Sequence, residues 1–337
     1  MTPRERIRNI IARQPADRCG FWVGNPHPDS LPGYHASFGT STLEEIHQLL
    51  GSDFRWLTPQ YMKTTYKHPE GKEIFGVWQE KASLGDAGPF SDCEDISDLD
   101  AYAWPRVEYL DFSECLRELE GARDYYRASG FWAPFFHDVM DLFGMESYLT
   151  KMYTHPEIVQ AVTDRVCSFY YEANELFFDQ AQDLVDGYFF GNDFGTQRDL
   201  LLSLEQFDEF VYPWFKRFTN QAHSRGYQVI LHSCGSVHRV IDRLIVAGVE
   251  CLHPLQARAA NMDAETLARD FGGKISFLGG IDTQDILVNR TPEQVKEEVR
   301  RVRGILGPNL IISPSHEALL PNVRPENVKA MAEAAVE

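Results

Sequence analysis

Residues 228–256, QVILHSCGSVHRVIDRLIVAGVECLHPLQ, hold an apolar, β-branched run at each end, at 228–232 and 250–255. Between them lies a longer stretch of helical period. Runs of the first kind recur at 130–136, 187–192, 275–281 and 309–313, so a strand–helix alternation sets in from about Gly130. Strands alternating with helices are parallel strands joined by crossovers. Further candidates at 20–23 and 54–58 bring the strands to eight, which predicts a distorted (β/α)8 TIM barrel. The rival is a doubly wound open sheet. No GxGxxG or GxxxxGK(S/T) loop follows any of these runs, so the nucleotide-binding forms of that rival lose support.

Helix starts are written into the intervening segments. Ser203 with Gln206 three residues on is a capping-box pattern; it opens EQFDEFVYPWFKRFTNQAHSRG, which stops at Gly226. Thr291-Pro292-Glu293-Gln294 supplies a cap, a proline at the first helical position and an acid near the positive end of the dipole. Pro156 does similar work in THPEIVQAVTDRV. Trp214, Phe215 and Phe218 fall at helical spacing and read as core, and the acidic runs Asp92–Asp100 and Glu297-Glu298 read as solvated faces. The first 126 residues are the least regular and read as N-terminal elaborations over one face of the fold. Neither a low-complexity linker nor a fixed-period repeat interrupts the chain, so a single domain over 1–337 is expected.

The chain has 337 residues, 43% of them hydrophobic, with 50 acidic against 32 basic residues and a net charge of −18. Such a surface repels nucleic acid and anionic lipid, and neither is an expected partner. No apolar run approaches the roughly 20 residues needed to cross a bilayer. The charged, amphipathic start lacks the apolar core of a signal peptide, so a cytoplasmic location is expected. The six cysteines, at 19, 93, 115, 167, 234 and 251, are scattered without a CxxC pair. They read as reduced thiols, more plausibly ligands than disulfide partners.

In a parallel barrel the chemistry sits at the carboxyl ends of the strands. Those ends carry Asp193, then His232 and Cys234, His253 and Gln256, Asp282, and finally Ser313 to His316. In an extended segment residues i and i+2 share a side, so His232 and Cys234 can grip one metal ion while Gly235 lets the chain turn. Zinc accepts imidazole and thiolate, and a catalytic zinc keeps three protein ligands and one open position; His316 is the candidate third ligand. Each residue has a plainer reading too. A buried Cys is usually a small hydrophobe, Asp193 and Asp282 could cap the following helices, and His253, before a proline, could be a satisfied core histidine.

The stretches GNDFGTQRDLLLSLEQFDEFVYPWFK, LHSCGSVHRVIDRLIVAGVECLHPLQ, FLGGIDTQDIL and ISPSHEALLPNVRPENVKAM resemble the uroporphyrinogen decarboxylase-like superfamily, and PRERIRNIIARQPADR looks like the usual start of its chains. That group includes the decarboxylase and the cobalamin-linked methyltransferases. The decarboxylase branch carries an Arg-rich loop after its first strand and an aspartate after its second. Here those places read Gly24-Asn25-Pro26-His27-Pro28-Asp29 and Phe54-Arg55-Trp56-Leu57-Thr58-Pro59, with no arginine in the first and no carboxylate in the second. The methyltransferase branch takes zinc ligands from an H-x-C motif, as at His232 and Cys234. Its late ligand is typically a cysteine, where this chain has His316 in Ser313-Pro314-Ser315-His316.

The resemblance therefore implies a zinc-dependent methyltransferase acting on a small thiol or methylated substrate. His232, Cys234 and His316 would hold Zn²⁺. Asp193 and Asp282 would be catalytic, orienting substrate or shuttling a proton, and Asn25, Gln197, His253 and Gln256 would bind substrate. No DxHxxG motif is present, so a corrinoid would reside on a partner protein. A homodimer is a further expectation from the resemblance. The alternatives are a metal-free decarboxylase of a smaller carboxylate substrate, with Asp193 and His316 as acid–base pair, and a non-catalytic barrel that binds a corrinoid or tetrapyrrole.

Overall fold

The structure, a computed structural model, describes residues 1–75 and 87–337. Its centre is a ring of parallel strands: β1 (Gly20–Phe21), β2 (Phe54–Trp56), β3 (Tyr126–Ser129), β4 (Gly187–Gly191), β5 (Gln228–His232), β6 (Cys251–His253), β7 (Ser276–Ile281) and β8 (Leu310–Pro314). Each strand pairs with the next from β2 to β8, and β1 pairs with β8. At the seam between β1 and β2, the Asp53 N–H donates to the Phe21 carbonyl at 2.8 Å, and the Asp53 carboxylate accepts the Phe21 N–H at 3.0 Å. This is the expected (β/α)8 barrel, distorted at that seam.

Alternation along the strands sorts the core into two shells. On β4, Tyr188 and Phe190 pack outward against the helices, while Phe189 joins an inner cluster with Trp22, Phe54, Tyr126, Ile230, Cys251, Leu278 and Ile311. Trp22 and Phe54 lie 5.1 Å apart between ring centres, and Phe54 stacks on Tyr126 at 5.4 Å. The barrel axis is a packed aromatic core rather than a pore, so any ligand must sit above it.

The amino end is closed by the helix Pro3–Ile11, whose Ile7, Ile10 and Ile11 join the inner cluster. Its arginines are fastened by two buried carboxylates. Arg4 and Arg8 reach Asp186 at 2.8 Å each, Arg127 on β3 approaches the same carboxylate at 3.4 Å, and Arg6 reaches Asp53 at 2.6 Å. This stretch is thus a plug over the amino end of the barrel.

The helix signals hold. Thr2, Thr42, Ser203 and Thr291 form reciprocal capping boxes, and Pro156 opens a helix running to Ala181. One strand was displaced in the reading: residues 130–136 are a turn and the start of the helix Phe135–Phe143, and the strand lies just before, at Tyr126–Ser129. A buried arginine hid it, since Arg127 is wholly enclosed and its charge is answered by Asp186. No helix among the described residues is long and apolar enough to cross a membrane.

Because Asp186 is fully buried among three arginines, Asp186→Ala leaves Arg127 enclosed without its carboxylate. The expected loss is about 3–5 kcal/mol of unfolding free energy in urea; a loss below about 1 kcal/mol, the range of exposed pairs, would show that this cluster does not fasten the plug.

Candidate metal centre

His232 ends β5 on the inward-facing series that passes through Ile230, and Cys234 takes the next alternate position. The imidazole is 4% exposed. Its Nε2 lies 3.2 Å from the Cys234 Sγ and 3.3 Å from Asp193 Oδ1. That same Asp193 oxygen accepts the Cys234 N–H at 2.8 Å. On the other side of the ring, Nδ1 lies 3.0 Å from the His253 Nδ1 and 3.5 Å from Glu317 Oε2.

Three loops are locked together to hold these groups. Gly235 has φ +83°, and a Cβ there would stand 2.3 Å from the Gly195 carbonyl oxygen, so the loops after β4 and β5 touch through bare backbone. The Gly235 N–H donates to Gln256 Oε1 at 2.8 Å, which ties in the loop after β6. The Ser236 N–H donates to the Thr196 carbonyl at 2.7 Å.

The electrostatics follow from this crowding. Burial opposes a charge on His232, but Glu317, Cys234 and the hydrogen bond to Asp193 outweigh it and raise its pKa well above the imidazole range. Burial, reinforced by the charges of His232 and His316, holds His253 well below that range, so His253 is neutral. Asp193 is half-buried; crowding alone would raise its carboxyl, yet its bond to His232 holds it below the usual carboxylate range and ionised. A neutral His253 accepts the Nδ1–H of His232, which directs the other His232 nitrogen at the thiol and the carboxylate.

That pocket suits a metal ion. A tetrahedral zinc, with Zn–N of ~2.0–2.1 Å and Zn–S of ~2.3 Å, sets neighbouring donors about 3.3–3.6 Å apart. The separations here are 3.2 and 3.3 Å, and Asp193, His232 and Cys234 all present ligand atoms within 4.8 Å of one another. A second donor group shares His232 with His253 and Glu317.

The remaining expected residues fall around this core. His316 stands with its ring centre 6.2 Å from that of His232, its Nδ1 accepting the Ala318 N–H at 3.2 Å; contact with Cys234 raises its pKa. Gln197, Gln256, Asp282 and His316 line a cleft of about 330 Å³ beside the centre. Asp282 acts as a local cap, its carboxylate accepting the Gln284, Asp285 and Ile286 N–H groups while pairing with Arg258 at 2.9 Å. Asn25 sits in the short strand Asn25–Pro26, which pairs with Ala318–Leu319, and donates its N–H to the Glu317 carbonyl at 2.7 Å. His253 is completely enclosed behind His232. All six cysteines are free thiols.

Glu317 and His137 escaped the sequence reading. Glu317 directly follows His316, and a carboxylate beside a candidate ligand was the available signal. His137 lies within electrostatic reach of Asp193 and His232, with burial lowering its pKa first. Its place inside the helix Phe135–Phe143 gave no such signal.

Comparison with known proteins places this geometry. The family described as uroporphyrinogen decarboxylase (URO-D) matches residues 132–337. A methylated-thiol–coenzyme M methyltransferase from Methanosarcina mazei is 28% identical over 100 residues, 30% of this chain. The match spans a quarter (25%) of that relative's length. Among solved structures, a methyltransferase from Methanosarcina mazei superposes with a TM-score of 0.71 at 16% identity, covering 99% of this chain and 98% of that one. The likeness is one of fold.

Gly235→Ala is expected to lower unfolding free energy by at least about 1–2 kcal/mol, the cost of a side chain at positive φ, before the clash with the Gly195 carbonyl is counted. Chemical denaturation checks it. A wild-type midpoint would show that the two loops are not held in contact.

Proposed function

The chain belongs to the uroporphyrinogen decarboxylase (URO-D) family, and from that premise we propose that it is a zinc-dependent methyltransferase. Its substrate is a small thiol or methylated compound, and a corrinoid is carried by a partner protein. One observation carries the reading: an imidazole nitrogen, a thiol sulfur and a carboxylate oxygen converge within 4.8 Å of one another, the nitrogen 3.2 Å from the sulfur and 3.3 Å from the oxygen. The partial match to a methylated-thiol methyltransferase supports the reaction class.

His232 and Cys234 form the core of the site, with Asp193 as the third donor. His316, first expected in that place, has its Nδ1 occupied by the Ala318 N–H. Its proton therefore sits on Nε2, and a neutral ring in that state is a donor to the Cys234 sulfur rather than a metal ligand. His253 fixes the His232 tautomer, the task that outer hydrogen-bond partners perform at metal sites. When bound, zinc lowers the pKa of a coordinated thiol so that the nucleophilic anion exists near neutral pH. Gln197, Gln256 and the Asp282–Arg258 pair form the wall against which a substrate is oriented. The metal-free decarboxylase reading needs Asp193 and His316 as a pair, whereas Asp193 turns to His232 and Cys234.

Protein purified without chelators is expected to hold about one zinc per chain, and Cys234→Ala close to none. Methyl transfer between a free corrinoid and a thiol substrate should stop on chelation and return with zinc. Zinc retained by the variant, or activity indifferent to chelation, would overturn the site. His253→Phe, which removes the acceptor and keeps volume, is expected to weaken zinc binding by about 10–100-fold in a competition titration. An unchanged affinity would mean that His253 does not orient His232.

A further inference from the structure

Three aromatic rings stand beside the candidate metal centre. Trp56 ends β2, Tyr61 lies in the loop that follows, and Trp132 comes just after β3. Their ring centres are 4.7 Å apart for Trp56–Trp132, 5.8 Å for Trp56–Tyr61 and 6.4 Å for Tyr61–Trp132, so they form one continuous wall. Trp132 is also 5.0 Å from the His232 ring, which sets the wall against the centre itself. A Cβ on Gly191 would come within 2.0 Å of the Trp132 indole, so a glycine is what lets that ring lie where it does.

Core packing explains part of this wall and not all of it. Trp132 is 8% exposed, but Tyr61 is 59% exposed, an unusual surplus for an aromatic ring beside a cleft. Charges of both signs surround the ring: Lys63 and Lys72 line the same cleft as Tyr61, Lys72 being paired with Glu70 at 2.8 Å, and carboxylates stand on the side of the metal centre. Crowding first, then the charges of Glu317, Asp138 and Asp193, raise the Tyr61 phenol, which places three carboxylates within electrostatic reach of it. The exposed area is what decides whether a ligand can reach the ring. Glu317 Oε2 is buried and accepts no hydrogen bond among the described residues, with His232 Nδ1 at 3.5 Å and His316 Nδ1 at 3.6 Å. Arg258, the cation lining the neighbouring cleft, is committed to Asp282 at 2.9 Å and Asp285 at 3.3 Å.

We propose that this wall binds a methylated onium cation, a trimethylammonium or dimethylsulfonium group, as the methyl-bearing end of the substrate. The inference rests on the methyl-transfer reading and narrows it. An onium group has no N–H or S–H to donate, so hydrogen-bonding groups cannot select it. The negative face of an indole or phenol ring can, within about 6 Å, and nearby carboxylates add to the attraction. On transfer, the carbon–nitrogen or carbon–sulfur bond breaks and its electron pair stays on the heteroatom. The methyl carbon bonds to the nucleophile of the methyl acceptor. The leaving group departs as a neutral amine or thioether. The thioether stays uncharged, so the wall holds a sulfonium substrate more tightly than its product, whereas a released amine takes up a proton from water.

The test uses the full chain without any methyl acceptor. Tetramethylammonium and trimethylsulfonium are titrated in parallel by calorimetry, and choline is compared with its neutral carbon isostere, in which a tert-butyl group replaces the trimethylammonium. Choline is expected to bind at least about tenfold more tightly than the isostere, about 1.4 kcal/mol. Tyr61→Leu should weaken onium binding about fivefold, and Tyr61→Phe, which keeps the ring face, should restore it. Equal affinity for choline and isostere, or wild-type binding by Tyr61→Leu, overturns the inference. The tighter of the two onium probes identifies the heteroatom. Onium binding without methyl transfer to a reduced corrinoid would sink the methyltransferase reading alone. Methyl transfer from a neutral thioether without onium binding would sink this inference alone.

Discussion

An imidazole buried at the end of a barrel strand has two nitrogens to satisfy where water cannot help, and the architecture around His232 follows from that constraint. One nitrogen is met by His253 on the adjoining strand, and the other by Cys234 and Asp193. The register of the sheet makes this possible, because His232 pairs with Gly191 on one side and His253 on the other. A slip of one residue in β5 would turn the imidazole outward into the helices and bring Leu231 to the axis. The arrangement leaves the His253 Nε2 buried with no hydrogen-bond partner among the described residues. An orphaned donor of this kind costs about 1–3 kcal/mol. It is the tautomer in which His253 accepts from His232, so the cost and the function belong to the same proton placement.

Below the histidines, the aromatic core decides how strong those interactions are. Phe189 packs 5.3 Å from His253, Trp22 lies 5.4 Å from it, and Trp56 and Trp132 stand 5.4 and 5.5 Å from Phe189. Rings of this size leave little room for water, and a low local dielectric strengthens every charge interaction at the mouth. The same packing raises the floor of the site to the level of the loops. Ligand recognition therefore falls to loop residues such as Gln256 and His316 and to the upper aromatic layer.

How much of this was legible depended on whether a signal was local. Seven of the eight strand runs lie where the apolar pattern put them, since β-branched alternation is a property of consecutive residues. The eighth, at Tyr126–Ser129, was invisible because Arg127 is buried through a partnership with Asp186, 59 residues away. The His232–Cys234 pair was readable as two positions on one side of a strand. Its third neighbour was not, because only the contact between the Gly195 and Gly235 loops brings Asp193 onto the same nitrogen. Trp56, Tyr61 and Trp132 come from separate segments and show no spacing that a linear pattern could reveal. Asp282 caps the turn that follows it, its carboxylate taking three backbone N–H groups and Arg258, while it also lines the cleft.

Charge balance is the strongest constraint on what this mouth can receive. Asp193, Glu317 and the Cys234 thiol converge on His232, which can carry one positive charge among them. The nearby Arg258 is already shared by two aspartates, and the chain as a whole carries −18. A substrate rich in carboxylates would add anions beside Asp193 and Glu317, where Arg258 is already paired, and desolvating such charges is costly without a partner. A metal ion relieves the excess of negative charge, as does an onium group lying against an aromatic face. Both proposals rest on the same balance of charge around His232. The absence of arginine from the loop after β1, first noticed as a departure in sequence, is the same balance seen from the other side of the mouth.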